Sequence, residues 1–298
     1  MIGQNVPKHL VSGARTGFLT ALGRHEMPWK RVAMVYNMGD ASHNLVDLGA
    51  SPMPVEDKAG NINQDFIEKQ MTVQSTPWEI STWISRYAID DDQTGQLKTK
   101  VAGAGGNFDR HLNNRVFTVL NGGDGQTYGA CYDTQDFFDS DHADVGADYT
   151  TAQDNENALA LSIDNFETVL NSARLFMDDR GQYADYQYDT LVCHPSLERI
   201  AANIVGNEWS YDTANREVNP YSGKFKYITS AQLDTTAWYL IASGMPIKPL
   251  IVAMRMSPKL LASWYDPTQP DGGRYYFKFG GRYRVFYGDW RLAAQGNT

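Results

Sequence analysis

Cys131-Tyr-Asp-Thr-Gln-Asp-Phe-Phe-Asp-Ser-Asp-His142 is the stretch on which the reading of this chain turns. Its carboxylates and imidazole are the hard donors of a metal-dependent hydrolase, with Asp133, Asp139, Asp141 and His142 as the candidate ligands. Two features weaken that reading. The donors sit among turn-forming residues, and no second ligand cluster occurs elsewhere in the sequence. The hydrolase is therefore the alternative rather than the leading hypothesis, and no cofactor is expected.

Outward from this stretch, composition sets the bounds. The 298 residues are 42% hydrophobic and 20% charged, enough for one large domain or two ordinary ones with a true core. No window approaches the ~20 consecutive apolar residues of a membrane span. The first residues mix Gln4, Lys8, His9 and Arg15 into the apolar pattern, unlike a signal peptide, so synthesis and folding in the cytoplasm are expected. Cys131 and Cys193 are too few for a disulfide scaffold and read as reduced, partly buried small hydrophobes.

The formal charge of −9 argues against general nucleic-acid binding, which needs a basic surface. Its distribution says more than its sum. No Lys or Arg lies between Arg115 and Arg174, while Asp and Glu accumulate there, Asp136 among them. Beyond Met245 the balance reverses, with Arg255, Lys259, Arg274, Lys278, Arg282, Arg284 and Arg291 outnumbering the acids. Such polarity steers the basic region of one copy toward the acidic region of another.

Periodicity supplies the elements. Pro7 opens a helix whose stripe of Leu10, Val11, Ala14, Phe18 and Leu22 stops at Gly23. Arg31 to Tyr36 reads as a short strand. From Asn37 to about Ser75 the chain is too poor in large apolar side chains to build its own core, and an extended hairpin laid on another subunit is expected. Trp78, Ile80, Trp83 and Ile84 restore the apolar pattern, and Ile89-Asp-Asp-Asp92 places acids where a helix N-terminus favours them. Leu97, Val101, Ala104, Phe108, Leu112, Val116 and Leu120 then step by three or four, giving a helix of about twenty-five residues closed by Asn121-Gly122-Gly123. Gly103, Gly105 and Gly106 inside it point to close packing of another backbone, or to a local break.

Farther on, Ile163 to Phe176 forms an amphipathic helix, Thr190 to Cys193 a buried strand, and Pro195 opens a third helix. Strands follow at 225–228, 237–241, 250–254, 275–279 and 283–287. The class is α+β. Catalytic signatures fail one by one: Gly103-Ala-Gly-Gly106 lacks the third glycine of a dinucleotide fingerprint, and Gly223-Lys224 lacks the rest of a phosphate loop. Cys193 and His194 are neighbours on a strand, where successive side chains diverge. The seven tryptophans lie among apolar neighbours and read as packing rather than as a stacking platform for sugars or single strands.

In order and spacing, a series of segments resembles the Mu-like major head subunit family of tailed phages. They are Ile84-Ser-Arg86 with Ile89 to Asp92, Cys131 to His142, Leu191-Val-Cys-His-Pro195, Thr236-Ala-Trp-Tyr-Leu240 with Pro246 to Leu250, and Tyr287-Gly-Asp-Trp290. The resemblance implies the Hong Kong 97-type capsid fold. It divides the chain into an N-terminal arm (1–35), an extension loop (36–76), a peripheral domain on the long spine helix (77–124 and 245–298) and an axial domain (125–244). It further implies a non-enzymatic major capsid protein that assembles into pentamers and hexamers of an icosahedral shell, in the host cytoplasm. Scaffold, protease, portal and decoration proteins are the other partners, with DNA enclosed but not read. Phe18, Lys58, Phe66, Asp136, Arg282 and Arg284 are the expected contacts between copies. Lys58 is the candidate lysine for an isopeptide crosslink, without an assignable partner.

Overall fold

The computed structural model describes residues 6–23, 27–40, 42–46, 70–91, 96–142, 151–208, 218–270 and 272–297. Helices α1 (Lys8–Ala21) and α2 (Trp29–Val32) lead into β1 (Ala33–Asn37), and β2 (Ser42–Val46) precedes β3 (Gln70–Gln74) and β4 (Thr76–Ser85). After α3 (Arg86–Asp90) comes the long α4 (Gln96–Asn121), then β5 (Glu156–Asn157), α5 (Ile163–Arg174), β6 (Thr190–Cys193) and α6 (Glu198–Gly206). Strands β7 (Lys226–Thr229), β8 (Trp238–Ile241), β9 (Leu250–Asp266), β10 (Arg274–Tyr287) and β11 (Ala293–Gly296) complete the order.

The glycines of α4 do not break it. Gly105 lets α1 cross at backbone contact: a Cβ there would press on the Phe18 carbonyl oxygen and lie 3.0 Å from the Leu22 nitrogen. Gly103 and Gly106 face open space, so only the middle glycine carries the packing argument. The crossing is locked by the Gly23 N–H, which donates to the Asp109 carboxylate, with Gly23 itself in the left-handed region at φ 77°. Phe18 is fully buried here, stacked on Phe279 at 4.4 Å and edge-on to Phe108 at 5.9 Å. Its expected place at a subunit contact is thus corrected: the apolar stripe of α1 lies against the chain's own core.

That core has the four-stranded sheet β1-β9-β10-β4 as its floor. The segments 275–279 and 283–287, read as two strands, are one strand of 14 residues running through Gly280-Gly281. β9 passes its expected end at Met254 and reaches Asp266. Three register shifts absorb extra β9 residues opposite Lys278 to Tyr283, where the glycines leave room for Leu261 and Pro258. The acids Asp90 and Asp91 close α3 rather than starting a helix, and Asp91 is its C-terminal cap.

The second sheet has the order β5-β11-β8-β6-β7, and β6, β8 and β11 are buried at every residue. α5 packs against it through Phe166, Val169, Leu170 and Ala173. Because β11 pairs with β8 and β5, the chain end from Ala293 belongs to this sheet and not to the segment 245–298 grouped with the spine. β2 and β3 form an antiparallel ribbon from Ser42↔Gln74 to Val46↔Gln70, and β3 packs Val73 against Met38, Ile251, Ala253 and Phe286. Lys58 and Phe66 lie outside the described residues.

Candidate functional site

The Cys131–His142 stretch folds into a knot of turns under the five-stranded sheet, and its donors face each other or the backbone. The Asp133 carboxylate pairs with His142 Nδ1 at 2.6 Å, with both side chains essentially out of water, and its other oxygen accepts the Gln135 N–H at 3.2 Å. Asp139 accepts the Asp141 N–H at 3.1 Å, and Asp141 itself is exposed. The His142 ring stacks on Trp290 at 4.0 Å with 5° between planes, and its backbone bridges to Gln153. Among the described residues no group of three or more His, Cys, Asp or Glu side chains is arranged to hold a metal ion. The described residues give the metal-hydrolase alternative no support: the acids of this segment terminate turns, and one of them pairs with a buried histidine.

Neither cysteine is poised for nucleophilic work. Both thiols are free and buried; burial, with Asp133 nearby, pushes Cys131 well above the ordinary thiol range, and burial pushes Cys193 up to about 12. His194 turns away to cap the following helical turn, its Nδ1 accepting the Ser196 N–H at 3.1 Å.

Sequence reasoning missed the residue that ties the knot to the rest of the molecule. Arg291, 3% exposed, reaches Asp179 at 2.5 Å, the Tyr132 hydroxyl at 2.6 Å and the Met177 carbonyl at 3.0 Å. Asp289 completes the ring, 3.6 Å from Arg291 Nη1 and 3.3 Å from the Tyr186 hydroxyl. Burial and the Asp289 charge push the Tyr186 phenol far up, so it stays a neutral donor. Only the dense Tyr, Asp and Arg spacing in 179–188 and 287–291 hints at such a cluster, and charge balance alone had placed Arg291 on a surface.

The surface features lie mainly on the other sheet. Trp83, Tyr276 and Trp264 stand in cross-strand register on β4, β10 and β9, with Trp264 stacked on Tyr276 at 5.0 Å and Arg274 over Trp83 at 3.7 Å. Trp83 is 48% exposed and Trp264 37%. Farther along β10, Arg284 is exposed and Arg282 half-buried, its Nε lacking a hydrogen-bond partner. Asp136 is half-buried in the knot, with one carboxylate oxygen unsatisfied. Asp136 therefore stays apart from the two arginines in sequence element and sheet.

Residues 8–160, just over half of the chain, match the family described as Mu-like prophage major head subunit gpT. The chain belongs to the Mu-like prophage major head subunit family. It is a structural protein of the phage head, a major capsid subunit. Solved structures share the fold over most of this chain. The procapsid protein of bacteriophage JBD30 is 21% identical, with a TM-score of 0.57 over 98% of this chain and 74% of that one. The subunit of a virus-like particle from Pyrococcus furiosus is 13% identical, with a TM-score of 0.54 over 97% and 99% of the two chains. The JBD30 capsid decorated with minor capsid protein trimers gives 20% identity and a TM-score of 0.53 over 78% and 100%. No curated protein sequence matches the chain. The α+β fold of this head subunit is the Hong Kong 97-type capsid fold.

Proposed function

We propose that this head subunit associates with copies of itself in rings of five and six that close into the icosahedral shell around double-stranded DNA. The observation that carries the proposal is the family match joined to a surface the solitary chain leaves unfinished, the aromatic row of Trp83, Tyr276 and Trp264 facing water. Copies of the chain are the partners that cover such surfaces, because a closed shell repeats one contact many times and so needs only modest strength in each.

In this reading residues 1–35 are the arm, 36–76 the extension loop, 77–124 with 245–292 the peripheral domain, and 125–244 with the last strand the axial domain. Lys58, Phe66, Asp136, Arg282 and Arg284 lie at contacts between copies. A separate scaffold, a protease, a portal and decoration proteins complete the head, and assembly takes place in the host cytoplasm. The subunit catalyses nothing, and its acidic surplus keeps packaged DNA enclosed without sequence-specific grip. Electron microscopy of the chain expressed alone and with a co-expressed scaffold tests this. Closed icosahedral shells are expected, and open tubes or isolated rings in every condition would instead fit a tail component.

A further inference from the structure

α4 places His111 and Arg115 one turn apart, so both side chains lie on the face that meets β4 and β10. The β4–β10 ladder ends at Tyr283↔Thr76, and Arg284 and Val285 continue past it without a β4 partner. At that open edge a cleft of about 310 Å³ is lined by Thr76, Trp78, Arg115, Tyr128, Tyr283 and Arg284. Its cations are held but not neutralised. The Arg115 guanidinium lies 5.7 Å from the Trp78 ring centre and 5.1 Å from that of Tyr128, so its flat faces are occupied and its N–H edges remain available. Arg284 reaches only the Tyr128 carbonyl, at 3.4 Å. Among the described residues neither guanidinium has a carboxylate within ion-pair distance.

We propose that this cleft is an anion site whose occupant is a carboxylate side chain of a second copy of this chain. Two guanidiniums in a cleft beside an unpaired strand edge suit an acidic side chain carried on an extended segment, which can add backbone bonds along that edge. The surrounding field agrees, since burial and the Arg115 charge together push the His111 imidazole below its ordinary value and keep it neutral. Copies of the chain are rich in the required group: each has 35 acids against 26 bases, and residues 116–173 contain no Lys or Arg. The net charge of −9 favours this source over DNA phosphate, which the molecule as a whole repels. The inference rests on the head-subunit reading and assigns one contact within it.

Arg284→Lys places an amine in the cleft that a carbodiimide joins to an adjacent carboxylate, so shells assembled from equal parts of isotope-labelled and unlabelled chain identify the partner by mass spectrometry. A link from position 284 to an Asp or Glu of the other isotope, formed in DNA-free shells, is expected. Links confined to one copy, or no link, overturn the site. In parallel, Arg115→Gln with Arg284→Gln should melt within a degree or two of wild type yet need about tenfold more protein to assemble. Unchanged assembly overturns it as well. So does binding of a short DNA duplex by dissociated wild-type subunits that the double variant loses, which would hand the cleft to phosphate. A wild-type chain that forms no shell under any condition sinks the head-subunit reading and this site together. Shells of the Arg284→Lys chain that close as wild-type shells do but carry no such link sink the site alone.

Discussion

The two sheets of this subunit treat water in opposite ways. In the five-stranded sheet, β6, β8 and β11 are buried residue by residue, and Trp238 and Tyr239 are both fully covered. In the four-stranded sheet, one face packs Phe277, Phe279 and Tyr283 onto the helices, while β4 and the outer half of β9 alternate between half-buried and exposed positions. The first pattern is that of a layer finished within one chain. The second is that of a layer finished by something else, which is what a subunit built for a shell requires.

The comparison can be broken most easily at its centre. Trp238→Ala removes a fully buried ring beside Phe166 and should cost about 3–5 kcal/mol in denaturant unfolding. A cost near zero would mean that the five-stranded sheet is not a closed core. Arg291→Gln leaves the Asp179 carboxylate buried without its cation and should cost about 3 kcal/mol, read in the same experiment. Gly105→Val forces α1 away from α4 and should cost about 1–3 kcal/mol, with a fall in melting temperature and early loss of α1 protection in hydrogen exchange. Trp264→Ala, on the outer face, should cost under ~1 kcal/mol in the dissociated subunit.

The smallest effect lies in the acidic stretch. Burial, and then Asp124, Asp139, Asp154 and Asp136, raise the Glu156 carboxyl above its ordinary value, so its charged form is less welcome folded than unfolded. Its contribution to stability therefore falls as pH rises from the unfolded value through the raised folded one, and returns on acidification. Glu156→Gln should stabilise the fold slightly at neutral pH, by well under ~1 kcal/mol, with the gain fading toward pH ~4. Melting curves at the two pH values measure it directly.

Legibility in the sequence followed the strength of local pattern. The stripes of α1, α4 and α5 and the apolar runs of β6 and β8 gave elements within a few residues of their true ends, because each buries one face or both against something large. β10 was read as two strands because Gly280-Gly281 interrupts the pattern, whereas the pairing from β4 and β9 carries the strand through. The outer half of β9 was missed because Arg255, Pro258 and Lys259 do not announce a strand whose register is set by its neighbour. Phe18 was placed correctly on a helix but on the wrong side of the molecule, since a stripe shows that a helix must be covered and not by what. Asp133 and His142 were picked out together and are indeed paired, but whether a carboxylate faces an ion or an imidazole is decided by tertiary contacts that spacing does not carry. Arg291 escaped for the same reason.

Sedimentation velocity of the purified chain across a wide range of concentration and salt tests most directly whether this molecule is completed only by its own copies. The account predicts small building blocks in equilibrium with one very large, narrowly distributed species that grows in as concentration rises. A single-copy boundary at every concentration, with and without scaffold, would contradict it.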